Sequence, residues 1–204
     1  DNREQMTIDE IVSAFSIEGI NKGNAKFNRE KLLSFNTETA AALGRNDPAR
    51  LLAAFKDYLA ASADSPVNRA TDAQLATLLE MKKGFRLLRE VDEASRFLFI
   101  ADEDIHYDAD SIEKVLRKQD GQGIAVLRDL RPILATIESW DHAAIEQAIQ
   151  RYCEEKQLGL GKVAQPIRVA VTGNTISPPI FPSLEFLGRE STLARLKRCL
   201  AECE

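Results

Sequence analysis

The sequence is short of the residues that most enzymes use for covalent or metal chemistry. Its 204 residues include two histidines, three cysteines and one tryptophan, little material for a metal centre or a nucleophilic triad. His106 stands in an acidic segment and His142 at a helix start, so both suit solvated positions. Cys153, Cys199 and Cys203 are odd in number, lie late in the chain and form no CxxC. That argues against a disulfide framework and for plain thiols in a reducing cytoplasm. No stretch approaches the roughly 18 apolar residues of a membrane span, and the polar opening DNREQMTIDE is no signal peptide. GxGxxG, Walker, HExxH and GxSxG patterns are all absent. Positive charge is in deficit: 27 Lys and Arg stand against 32 Asp and Glu, a net charge of −5. A uniformly basic nucleic-acid binder is thereby excluded, but a locally basic face is not. The chain opens on Asp1 rather than Met, which suits a piece of a longer protein.

What is present is an ordinary globular composition, 44% hydrophobic and 29% charged, with helix signals throughout. Thr7 with Glu10 and Thr71 with Gln74 have the spacing of capping boxes. Asn28 is placed to cap a helix bearing Leu32, Leu33 and Phe35. Asp47-Pro48 gives an N-cap and a first-turn proline ahead of Leu51, Leu52, Phe55 and Leu59. Gly84 ends or bends the helix that carries Leu75, Leu78 and Leu79. Phe85, Leu87, Leu88, Phe97, Leu98 and Phe99 read as one further apolar cluster. Asp102 to Asp110 is acidic and aperiodic, the signature of a linker. Ser111 and Ser139 are expected to cap the next helices, with Gly121 and Gly123 interrupting the pattern between them and Pro132 near a kink. Gly159 and Gly161 are expected to close the helix of Ile145, Ile149 and Tyr152. Val163 to Val171 then predicts a short helix stopped by Gly173. A turn-rich stretch from Asn174 to Pro179 follows, then short helices from Phe181 and through Leu193, Leu196 and Leu200.

Two groups of basic residues stand out in this acidic chain. Lys82, Lys83, Arg86 and Arg89 put four positive charges into eight residues. On a helix, Lys82, Arg86 and Arg89 would fall along one side, a stripe able to track phosphates or simply a solvated face. Arg151, Lys162 and Arg168 form the second group, ahead of a loop with Ser177, Pro178, Ile180 and Phe181. Splayed single-stranded bases are held by such neighbours, apolar surfaces beside hydrogen-bonding groups. The plainer alternative is a turn shaped by Pro178-Pro179 with Phe181 in the core.

The run VAQPIRVAVTG from Val163 to Gly173 resembles the last domain of bacterial glutamyl-tRNA synthetases. So do Ser177-Pro178-Pro179-Ile180-Phe181, Leu187-Gly188-Arg189-Glu190 and Leu193-Ala194-Arg195-Leu196. Phe15, Ile20-Asn21-Lys22, Ala25-Lys26-Phe27-Asn28, Lys31-Leu32 and Phe35-Asn36 resemble the family's stem-contact segment. Phe85 to Phe99 resembles its first anticodon-binding domain more weakly. The likeness spans almost the whole chain and is poorest from Ala101 to Gly123. The HIGH-like and KMSKS-like signatures of the family's catalytic core do not occur here.

The resemblance implies a mainly α, elongated architecture: a stem-contact unit over 1–40, then helical anticodon-binding domains over 41–106 and 107–204. It implies a cytoplasmic enzyme that activates glutamate with ATP and Mg and transfers it to tRNA-Glu. This chain would supply tRNA recognition, with no catalytic residue and no cofactor of its own, and is expected to be monomeric and off the membrane. Carried over by motif, Arg168 faces the anticodon; Ser177, Pro178 and Ile180 contact its bases, with Phe181 beside them and Arg151 on the preceding helix. Lys22 and Lys26 become candidates for stem phosphates, and Lys82, Lys83, Gly84 and Arg86 for the anticodon side. Members that reject tRNA-Gln carry an arginine where the present register places Gly84, reading the third anticodon base, C against G. A glycine there implies weak discrimination or a preference for tRNA-Gln. A rival of another class is a helical protein-interaction module with no RNA role. The acidic balance suits it, and the Val163–Gly173 motif argues against it.

Overall fold

The computed structural model describes residues 6–20, 23 and 27–203. Helices dominate, and no β-strand occurs among the described residues. The first helices are α1 (Ile8–Ala14), α2 (Arg29–Asn46), α3 (Pro48–Ala61), α4 (Asp72–Met81) and α5 (Leu88–Ser95). The short α6 (Ala109–Ser111) runs into a π-helical turn (Ile112–Arg117) and then α7 (Lys118–Ala135). The last four are α8 (His142–Lys156), α9 (Leu160–Thr172), α10 (Ile180–Leu187) and α11 (Arg189–Cys203).

Side-chain caps set most of the starts. Both predicted capping boxes form, at Thr7/Glu10 and at Thr71/Gln74. Asn28 accepts from the Lys31 N–H, and Asp47 from the Arg50 N–H with Pro48 behind it. Elsewhere the cap lies beside the residue expected. Asp108, not Ser111, caps α6, accepting the Ser111 N–H at 2.8 Å. Asp141, not Ser139, caps α8; Ser139 instead donates its hydroxyl to the Asp141 carboxylate at 2.6 Å. A carboxylate is the stronger acceptor for free helix N–H groups and suits the positive end of the dipole. α8 ends on Gln157 in the left-handed region, so Gly159 becomes the N-cap of α9 and Gly161 lies inside that helix. The break beyond the π turn falls at Gln119, Asp120 and Gly121, all at positive φ, and α7 then continues through Pro132.

Buried apolar residues form two cores. One joins Leu51, Phe55, Leu59, Val67, Leu75, Leu78, Phe85 and Val91. The other runs from Phe97 and Ile105 through α7, α8 and α9 to Leu196 and Cys199. The apolar cluster expected around Phe85–Phe99 is therefore divided: Phe85 serves the first core, Phe97 the second, and Leu98 packs against both. The cores also meet where the Phe99 ring lies edge-on to Phe186 of α10, 5.6 Å between centroids.

The acidic stretch expected to be a linker is a strap held on the second core. Arg195 of α11 is 1% exposed. It donates to the Asp102 carboxylate at 2.6 Å and to the carbonyls of Phe97, Ile100 and Val171 at 2.8, 3.0 and 2.9 Å. Arg198 donates to the carbonyls of Asp102 and Ile105 and lies over the Tyr107 ring. The Asp108 N–H reaches the Gly173 carbonyl at 2.8 Å. Gly173 sits at φ +83°, and a Cβ there would fall 2.0 Å from the His106 carbonyl oxygen. Only glycine permits both the turn and the approach. The strap thus grips the end of α9 from which the Asn174–Pro179 loop leaves.

Candidate nucleic-acid interface

α9 brings Arg168 to the base of that loop. Its apolar residues Val163, Ile167, Ala170 and Val171 are buried, which turns Arg168 to the side where the chain doubles back after Gly173. The loop is shaped by its own polar groups. The Asn174 N–H donates to Thr172 Oγ1 at 3.1 Å, and the Ile176 N–H to Asn174 Oδ1 at 2.7 Å, an Asx turn. Ser177 then meets Arg168, whose Nε donates to Ser177 Oγ at 2.8 Å; that hydroxyl in turn donates to the Pro178 carbonyl at 2.7 Å.

Arg168 is half-buried, and no carboxylate pairs with it among the described residues. Burial alone accordingly pulls its guanidinium below the ordinary arginine range. Nε is held by Ser177, so the side chain is oriented while its two terminal NH2 groups have no partner among the described residues. Such a fork can serve the edge of a base bidentately or lie flat under one.

The loop residues expected with Arg168 divide in two. Ser177 touches it. Pro178 is buried, Ile180 opens α10 at 5% exposure as part of the second core, and Phe181 is half-buried. The apolar surface on the open side comes from Ile176, 74% exposed. Sequence reasoning passed over it; the available signal was a lone aliphatic residue inside a run of turn formers. Arg151 of α8 is exposed and lines a separate cleft of about 380 Å³ between α7 and α8, with Ile133, Tyr152 and Glu155.

The other basic group does not form the expected helical stripe. α4 stops at Met81, with Lys82 as its C-cap, and the chain turns through Gly84 at φ +79° before α5. Nothing lies within 4 Å of a Cβ placed on Gly84. The backbone conformation, and not crowding, is what favours glycine there. Lys83 pairs with Glu80 at 2.7 Å, Arg86 with Glu90 at 3.4 Å and Arg89 with Glu93 at 3.6 Å. Lys83 and Gly84 edge an apolar cleft of about 430 Å³ whose walls include Ala40, Gly44, Leu51 and Leu79. Arg86 and Arg89 rim a second cleft of about 580 Å³, which α2 closes with Arg29 and Asn36. Arg29 escaped notice because it is distant in sequence from the run at 82–89. The candidate stem residues Lys22 and Lys26 lie outside the described residues.

Comparison with known proteins gives these surfaces a context. The Anticodon binding domain family matches residues 30–200. A glutamate–tRNA ligase of Thermus thermophilus is 34% identical over 203 residues, which cover 98% of this chain and 41% of that protein. The glutamate–tRNA ligase of Afipia carboxidovorans is 36% identical over 202 residues, which cover 96% of this chain and again 41% of that protein. The chain thus spans about 41% of the length of these curated relatives. In fold it is similar to the crystal structure of a glutamate tRNA ligase from Elizabethkingia meningosepticum in complex with its amino acid. That similarity has a TM-score of 0.78 at 22% identity and covers 100% of this chain and 38% of the other. The family match embraces both cores and the Arg168 loop, and the chain belongs to the anticodon-binding domain family found in glutamate–tRNA ligases.

Proposed function

We propose that this chain is the tRNA-reading part of a cytoplasmic, monomeric glutamate–tRNA ligase. The complete enzyme would activate glutamate with ATP and attach it to tRNA-Glu. ATP and Mg belong, on this reading, to the part of the enzyme outside this chain. The observation that carries it is Arg168, a half-buried cation pinned by Ser177 and without a carboxylate among the described residues, close in the chain to exposed Ile176. Its open N–H groups take the edge of a splayed anticodon base, and Ile176 packs on a base face. The division into a stem-contact unit over 1–40 and anticodon units over 41–106 and 107–204 is part of the proposal, with Phe97 to Ile105 packing on the second core. Lys22 and Lys26 are its stem contacts, Lys82, Lys83 and Arg86 its second anticodon patch, and Arg151 a flanking contact.

The test is a titration of the chain with anticodon stem-loop RNA. Binding is expected to weaken steeply with salt, to differ between anticodons, and to lose that difference in Arg168→Ala. Anticodon preference that survives in Arg168→Ala would overturn the assignment of this residue.

A second reading concerns specificity. Gly84 offers no side chain to the third anticodon base, and its φ of +79° disfavours any replacement that would. The full-length enzyme is then expected to charge tRNA-Gln alongside tRNA-Glu, or in preference to it. Side-by-side charging assays decide this, and strict rejection of tRNA-Gln would sink it.

A further inference from the structure

The second core carries a cleft that the Arg168 loop does not use. It lies between the break at the start of α7 and the first turns of α9, has a volume of about 200 Å³, and has Lys114, Lys118, Lys162, Gln119, Gln122 and Gln165 in its walls. Three lysines and three amides line it, and no carboxylate does among the described residues. Lys114 is paired with Asp110 at 2.6 Å. Lys118 and Lys162 have no such partner among the described residues.

The floor of the cleft is rigid. A Cβ on Gly123 would fall 2.3 Å from the Val115 carbonyl oxygen, so the π turn and α7 touch backbone to backbone. One wall is strained: Gln119 and Asp120 are consecutive non-glycine residues at φ 53° and 56°. Such conformations persist only where the surroundings enforce them. The opposite wall holds an unmet need, since Gln165 Oε1 is buried and has no hydrogen-bond donor in reach. Lys162, Gln165 and Arg168 succeed one another at three-residue steps on one side of α9, spanning about 9 Å. The cleft and Arg168 thus lie along the same helix.

We propose that this cleft holds the sugar–phosphate backbone of RNA nucleotides next to those read by Arg168. Lys118 and Lys162 meet phosphate oxygens, and the Gln165 side chain swings out so that Oε1, without a donor in its buried place, accepts a hydrogen bond from a ribose 2′-hydroxyl. The proposal rests on the tRNA-reading function above. The cleft asks for negative charge and a donor together. Carboxylate side chains bring only acceptors to Gln165, and DNA lacks the 2′-hydroxyl; an RNA backbone supplies negative charge and a hydroxyl donor at a fixed spacing.

The test is fluorescence anisotropy of a labelled anticodon stem-loop RNA titrated with the chain over a range of salt. The Lys118→Ala/Lys162→Ala variant is expected to lower the slope of log affinity against log salt by about 1.4, two phosphates at about 0.7 each for a single strand. It should do so for every anticodon and keep the anticodon preference. In Gln165→Leu, a loop carrying 2′-deoxyribose is expected to bind as well as the all-ribose loop, whereas the unaltered chain prefers ribose. An unchanged slope in the double variant, with preference still lost in Arg168→Ala, overturns this inference and leaves the tRNA reading standing. Failure of the unaltered chain to bind the RNA at low salt overturns both. Competition by oligoglutamate that matches the RNA and ignores Gln165→Leu would give the cleft to an acidic protein segment instead.

Discussion

The two basic regions of the chain differ in what their charges already do. Between Lys82 and Arg89, three of the four cations sit against a glutamate one turn away, at 2.7 to 3.6 Å. Arg168 has a serine hydroxyl for Nε and no carboxylate among the described residues. Exposed pairs of the first kind give the fold only about 0.2–1 kcal/mol each, but they occupy donors. A phosphate arriving there competes with Glu80, Glu90 and Glu93. A base arriving at Arg168 meets a cation already partly desolvated and already aimed. Charge density therefore points to one region and charge availability to the other. Arg195 marks the far limit, with a carboxylate and three carbonyls around one buried guanidinium.

Arg195→Met should have the largest effect and should sharpen that contrast. Removing one partner of a buried charge network leaves Asp102 and the carbonyls of Phe97, Ile100 and Val171 without that donor, which costs about 3–5 kcal/mol. Urea denaturation followed by circular dichroism is expected to show a loss of that order. A loss below about 1 kcal/mol, the scale of an exposed pair, would mean that the strap holds without its central residue.

Arg168→Ala is the opposite case. Stability should stay within about 0.5 kcal/mol of the parent chain, because no ion pair is broken and a desolvated charge is removed. Base discrimination should fall by about 1–3 kcal/mol in RNA titrations. If this variant is destabilised as Arg195→Met is, the two arginines are alike and the contrast fails.

The legible parts of the chain were those with local causes. Capping boxes at Thr7 and Thr71, the Asp47 cap and the Gly173 stop depend on residues a few positions apart, and they formed where the spacing put them. Arg168 and Ser177 stand in two segments singled out in the sequence, and the fold joins them by the hydrogen bond from Nε. The strap was not legible, because Asp102 to Asp108 is held by Arg195 and Arg198, separated from it in sequence by most of the second core, and no local period records such a bond. The supposed stripe at Lys82, Arg86 and Arg89 failed for a related reason. Helical spacing does not carry across Gly84: α4 stops at Met81, and the chain turns through a positive φ at Gly84. Ile180 looked like a loop residue until α10 carried it into the core, leaving Ile176 on the open side.

The smallest expected effect tests the contrast from its other end. Glu90→Gln keeps an amide oxygen for the Arg86 N–H, which now donates to Glu90 Oε2 at 3.1 Å, and removes the charge that holds the Arg86 guanidinium. If occupied donors are what silences this region, RNA affinity at low salt should rise by a few-fold. The salt slope should steepen by about 0.7, one added phosphate contact on a single strand. Stability should fall by no more than about 1 kcal/mol, the worth of one exposed pair. The direction is what matters: a substitution in the first region increases binding, while Arg168→Ala in the second decreases it. An unchanged slope in Glu90→Gln would show that Arg86 faces no RNA even when released, and would leave the Arg168 side to carry recognition alone.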